Sequence, residues 1–159
     1  MKRWLCCLLP VLFLCGCSAE ETMETVSDEW LVPAMAQPQE ITVHLPDNMV
    51  APTMEQSGRR LYLADGYEIM LETIAAGDLD ATIRSLTGYD SDRLTVIQTR
   101  QGDAERYDFV WSAAGEHGAR LGRGTILNDG NYHYCLSALR DAGETLIVWQ
   151  DVFESFSLV

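Results

Sequence analysis

Apolar and polar residues alternate along most of the chain, in short runs separated by tight-turn residues. A period of two puts every second side chain on one face of an extended strand. Ile41, Val43 and Leu45 alternate with Thr42 and His44 and stop at Pro46-Asp47. After a loop with Pro52 and Gly58, Leu61 and Leu63 alternate with Arg60 and Tyr62. Asp65-Gly66 then supplies a hairpin turn, and Tyr67, Ile69 and Leu71 resume the pattern. Leu94 to Thr99 is β-branched, and Tyr107, Phe109 and Trp111 alternate with Arg106 and Asp108. Ala119 to Leu127 is a weaker strand with Gly122 and Gly124 inside it. The Asn128-Asp129-Gly130 turn leads to Tyr132, Tyr134, Leu136 and Ala138 on one face.

The period changes twice. Leu79, Ile83 and Leu86 are spaced four and three apart, with Asp78 as N-cap and Gly88 as C-cap, which predicts a helix over 79–87. Near the end Thr145 to Trp149 suits a strand by propensity. Even so, Leu146, Trp149, Phe153 and Phe156 fall at helical spacing, Val152 widens the stripe, and Asp141 with Glu144 fits a capping box. A helix from Ala142 to Ser155 is expected, with Ser157 to Val159 extended. The predicted fold class is α+β: an antiparallel sheet of six to seven strands, one short internal helix and a C-terminal helix packed on one face.

Ahead of these elements, Lys2 and Arg3 precede an apolar run from Trp4 to Leu14 that ends in Leu14-Cys15-Gly16-Cys17. The run is roughly a dozen residues, where a spanning helix needs about 20. Its order is that of a cleaved secretory signal, and the last four residues resemble the lipobox of bacterial lipoprotein signal peptides. That resemblance implies cleavage before Cys17, whose sulfur then carries a lipid such as a diacylglycerol, often with a further palmitate-type chain. Two chains anchor firmly where one does not. The implied location is the extracytoplasmic face of the cell membrane, or an outer membrane in a host that has one. The expected organisation is a signal peptide over 1–16, an acidic tether over 17–39 and one domain over 40–159.

Cleavage removes Cys6, Cys7 and Cys15. Only Cys17 and Cys135 remain, so no internal disulfide is expected. It also removes the single lysine and leaves nine arginines against 24 carboxylates, a net charge of −15. Such a surface repels phosphate backbones and anionic head groups, so nucleic-acid binding is not expected. Without lysine there is no Schiff-base or P-loop chemistry. The tether Ser18 to Gln39 holds five acidic residues, Pro33 and Pro38, with the short apolar Trp30-Leu31-Val32. As a coil of 22 residues it would reach about 25 Å. The 142 residues from Ser18 suffice for one domain that buries roughly two thirds of its unfolded surface.

The strand ending in Leu45-Pro46, the turn and strand from Asp129 to Leu139, and the closing Phe153-Glu154-Ser155-Phe156 helix with its short tail together resemble the PsbP-like fold of small secreted and lipoprotein domains. The resemblance covers most of 40–159 as a pattern of elements. It implies a non-catalytic extrinsic protein that supports a membrane assembly or binds a ligand on its sheet, and it brings no functional residues with it.

His133 and Cys135 share a strand face, but i and i+2 side chains stand roughly 7 Å apart, too far for a nucleophile and its base. His44, His117 and His133 lack metal-site spacing. Gly122-Arg123-Gly124 has neither the lysine nor the strand-to-helix context of a phosphate loop. There a bulge or close backbone approach is expected, with Arg120 and Arg123 able to receive an acidic group. Asp78 with Asp80, and Asp90 with Asp92, lack the other ligands of a calcium loop and suit caps and turns. Tyr107, Phe109, Trp111, Tyr132 and Tyr134 are core residues by default. They are also the candidate lining of a ligand cleft under the closing helix.

No cofactor, metal or catalytic activity is expected. The chain reads as a lipid-anchored domain that binds an envelope protein partner or supports an assembly. The alternative is a carrier for a small hydrophobic or cationic ligand in a cleft of roughly 300 Å³ or more. The sequence does not give an oligomeric state.

Overall fold

A computed structural model of the protein describes residues 36–116, 118–143 and 147–159, without the side chains of Ile147 and Val148. These residues form one compact unit, Ala36–Val159. Cys17, the signal and the tether up to Met35 lie outside the described residues, as do His117 and Glu144–Leu146.

Among the described residues, seven strands form a single antiparallel sheet. They are β2 (Met54–Gln56), β3 (Arg59–Ala64), β4 (Tyr67–Ala75), β5 (Val96–Gln101), β6 (Ala104–Gly115), β7 (Gly118–Asn128) and β8 (Tyr132–Asp141). Their order is β2-β3-β4-β8-β7-β6-β5, so hairpins build both halves and the β4–β8 pairing joins them. Between the halves runs α1 (Leu79–Thr87), followed by a 3-10 turn at Ser91–Arg93. The closing helix α2 (Ile147–Ser155) leads to β9 (Ser157–Leu158), which pairs with β1 (Ile41–Thr42) in a separate two-stranded sheet. Among the described residues no helix is long and apolar enough to cross a membrane.

The alternation read from the sequence sorts side chains onto two faces. Ile69 and Leu71 of β4, Tyr134, Leu136 and Ala138 of β8, and Leu127 of β7 pack with Trp149, Val152 and Phe153 of α2 and with Phe156. The opposite face carries Tyr107, Phe109, Trp111, Ile126 and Cys135, with Ile83 of α1 and flanking Leu79 and Leu86. Each large apolar side chain so buried contributes about 1.5–3 kcal/mol. The helix α1 begins and ends where its caps fall. An Asp78 carboxylate oxygen accepts from the backbone N–H of Asp80 at 3.0 Å, and Gly88 takes the left-handed conformation and donates to the Arg84 carbonyl at 2.8 Å.

Several boundaries differ from expectation. The strand expected through Leu45 stops at Thr42. Two residues on, the backbone N–H of His44 donates to the Ser155 hydroxyl at 2.9 Å and ties the chain to α2. The loop before Gly58 contains the edge strand β2, whose three residues are all exposed and so carry no burial pattern. The final helix does not start at Ala142. Asp141 is still in β8, in register with Arg120 and donating its N–H to the Gly66 carbonyl, and Ala142 and Gly143 form a turn. The capping role expected of Asp141 is therefore not made. Ahead of β1, the Gln39 N–H donates to the Tyr134 hydroxyl and the Ala36 carbonyl accepts from Tyr132.

Candidate functional site

The face of the sheet that packs on α2 is wider than the helix. Where β5, β6 and β7 extend beyond it, three large apolar side chains stand open: Ile97 at 58 % exposure, Val110 at 61 % and Leu121 at 38 %. Register brings them together. Val110 lies opposite Arg123, Ser112 lies opposite Leu121, and Ile97 lies opposite Asp108. Trp149 and Glu154 form the wall on the helix side. The result is an open groove of about 1010 Å³ with β6 from Asp108 to Ser112 as its floor and Arg140 at its side.

A polar network closes one end of this floor. Arg106 grips both carboxylate oxygens of Asp108, at 2.7 and 3.0 Å, and also donates to the Gln101 side chain at 2.7 Å and the Phe153 carbonyl at 3.1 Å. The Thr125 hydroxyl donates to Asp108 at 2.6 Å. Burial pushes the Asp108 carboxyl up, but these donors outweigh it and hold it below its ordinary range. The network anchors the α2 terminus to β6, since the Phe153 carbonyl is one of the C-terminal acceptors that a helix leaves unpaired.

Arg123 is bound differently. Its guanidinium lies 4.3 Å from the centroid of the Phe153 ring, and among the described residues no group forms a hydrogen bond or ion pair with it. Burial pulls its pKa down, against the opposing charges of Asp108 and Glu154. Arg140, opposite Leu121 toward the other end of the floor, stacks 5.4 Å over Trp149. Arg120, by contrast, reaches Glu68 and Asp141, both at 3.4 Å.

The residues expected to line a cleft divide between three places. Tyr107, Phe109 and Trp111 point away from α2 into the core under α1, with Phe109 and Trp111 centroids 5.9 Å apart. Through their positions in β6, Phe109 and Trp111 also belong to the groove floor. Tyr132 and Tyr134 lie at the far end of β8 and hold the entering chain. The Tyr134 hydroxyl donates to Asp129 at 2.8 Å, and burial, followed by the Asp129 contact and charge, pushes its pKa up to about 12. The groove lining Ile97, Val110 and Leu121 was missed. Its signal was Val110 on a strand face otherwise carrying Arg106, Asp108 and Ser112.

The other constellations resolve as follows. His133 is buried, with its Nδ1 2.9 Å from the Thr82 hydroxyl of α1, while its Nε2 meets no partner among the described residues. Cys135 is buried beside it, and burial with the Glu72 charge pushes its thiol up to about 12, so it stays protonated. His44 flanks α2, on the other side of the sheet. Among the described residues no three His, Cys, Asp or Glu side chains converge to hold a metal ion. Asp80 accepts from Ser91 at 2.7 Å, and Asp90 pairs with Arg84 at 2.5 Å.

No protein-family model matches the chain, and no curated protein does. Among solved structures it is similar to a crystal structure from Bacteroides thetaiotaomicron, with 9 % sequence identity and a TM-score of 0.52 over 75 % of this chain. The likeness covers 45 % of that protein, so this chain spans less than half of its length. At that identity the likeness is one of fold.

Proposed function

We propose that the chain is a non-catalytic binding domain, held at the extracytoplasmic face of a membrane by lipid on Cys17, and that the groove beside α2 takes its ligand. The observation that carries this reading is the clustering of Ile97, Val110 and Leu121, all exposed, along one concave surface with Trp149. Scattered exposed apolar residues are ordinary, whereas a contiguous set in a groove marks a binding surface. The PsbP-like reading of the domain belongs to the same proposal. It rests on the closing helix over the sheet and on the tail strand that pairs with the entering one.

Support of an envelope assembly is the second reading. One observation favours it: β5 is an edge strand whose outer side has no partner among the described residues, and such an edge can accept a strand from another protein.

The test is to purify the full chain from membranes and analyse what is extracted with it, beside a Val110→Asp variant. A co-purifying apolar compound that is lost in the variant is the expected result. Bare protein from both preparations, with a pull-down recovering only the chain itself, would remove the reading. Cys17→Ser should release the protein into the medium, and retention in the membrane would refute the anchor.

A further inference from the structure

Resting on the groove as the binding site, we propose that its ligand is a small amphiphile with an apolar body and one carboxylate, and that Arg123 receives the carboxylate. Ile97, Val110, Leu121 and Trp149 provide the apolar bed. The charged groups at its end determine the sign of the head group. Asp108 is committed through both oxygens to Arg106 and Thr125, and Glu154 accepts from Gln150 at 2.8 Å. Arg106 is committed in turn to Asp108, Gln101 and Phe153. Arg123 alone among these brings N–H donors that no hydrogen bond or ion pair uses among the described residues.

Phe153 fixes the plane of the Arg123 guanidinium from one side. A planar fork so held matches a carboxylate through two parallel N–H bonds. The two acidic side chains nearby favour the arginine's charge without occupying its donors. An alkylammonium head group would instead meet the charges of Arg123 and Arg106, with Asp108 held through both oxygens by Arg106 and Thr125 and Glu154 as its one carboxylate partner.

Two other occupants fit less well. A second copy of the chain would bring a net charge of −13 against the same charge. A protein partner of ordinary interface size needs about 800 Å² on each side, whereas the open apolar surface here comes from three side chains and the edge of Trp149. The volume of about 1010 Å³ is at the upper end of small-molecule sites.

The experiment uses the full chain in phosphatidylcholine nanodiscs, titrated calorimetrically with octanoate, octan-1-ol and octylammonium, with empty discs subtracted. Octanoate should bind on the order of 10- to 100-fold tighter than either other probe, the range of a charge-assisted hydrogen-bonded pair. Arg123→Gln should bring octanoate down to the octanol level and leave octanol unchanged. Val110→Asp, at an exposed site, should abolish both. Octylammonium binding as tightly as octanoate, or octanoate binding unaffected by Arg123→Gln, would overturn the anion assignment while loss of octanol in Val110→Asp kept the groove. Binding of every probe unaffected by Val110→Asp would remove the groove itself. No binding by any of the three would overturn the proposal.

Discussion

Gly122 and Gly124 sit opposite Trp111 and Phe109 in the β6–β7 register, and the two rings lie over the bare glycine backbone. A Cβ on Gly122 would meet three atoms of the Trp111 indole closer than contact distance, with Cζ2 at 2.5 Å. An indole clamped between strands has no flexible end to swing aside, so Gly122→Ala overpacks the core under α1. Overpacking costs about 1–3 kcal/mol. The loss of unfolded-chain entropy on replacing glycine returns about 0.4–1 kcal/mol, leaving a net destabilisation of about 1–2 kcal/mol. With a urea slope of about 1–3 kcal/mol/M, the unfolding midpoint should drop by about 0.5–1 M. Gly77→Ala is the contrast, because nothing lies within 4 Å of its added Cβ. It should hold or raise the midpoint. The decisive measurement is the cycle with Trp111→Leu, since residues in contact couple. In that background Gly122→Ala should lose most of its cost. An equal drop in both backgrounds would refute the stacking of Trp111 on β7, and with it the assignment of that ring to the core.

Burial holds His133 neutral, below its ordinary pKa of 6.5, against the pull of Asp129, and a second N–H on Nε2 would find no acceptor among the described residues. The unfolded chain therefore takes up the proton first. Stability is complete above about pH 6.5 and declines as pH falls below it, at up to about 1.4 kcal/mol per pH unit. Urea midpoints between pH 7 and 5 should show that slope in the wild type and lose it in His133→Gln. Asp108 has the opposite chemistry and the same direction. Its folded pKa lies below the ordinary 3.8, so its contribution is full above that value and is lost as pH falls through the folded one. Asp108→Asn should cost about 1.5–3 kcal/mol at pH 7 and flatten the acid limb of the same titration. Cys135 should resist iodoacetamide in the folded protein and react in urea, as counted by mass spectrometry. Rapid labelling without denaturant would contradict its burial.

The two long hairpin sets and α1 were legible because their signals are local. Asp65-Gly66 and Asn128-Asp129-Gly130 carry a turn preference within two or three residues, with Gly66 and Gly130 at positive φ, and Asp78 and Gly88 sit at the caps of α1. The end of β8 was not legible. Asp141 and Glu144 have capping-box spacing, but the tertiary pairing of Asp141 with Arg120 takes that residue for the sheet. The site was illegible for a related reason. Aromatic residues at spacing two indicate a shared face, and nothing local says which helix that face meets. Tyr107, Phe109 and Trp111 meet α1, whereas Val110, one residue out of step, faces α2 and is open. Only the β4–β8 pairing decides the assignment, because it sets the two hairpin sets side by side.

That pairing also bears on how the chain folds. Every other contact within the seven-stranded sheet joins strands that follow each other directly, through loops that close quickly. Ile69 and Leu71 must find Ala138 and Leu136 across nearly the whole of the intervening sheet. Closing so long a loop has an entropic cost before any packing on α2 offsets it. The two hairpin sets are therefore expected to form early and separately, and their docking along β4 and β8 to limit the rate. Substitutions at Leu71 or Leu136, and in the β6–β7 hairpin already formed at that step, should then slow folding, while those whose contacts form only after docking should mainly speed unfolding.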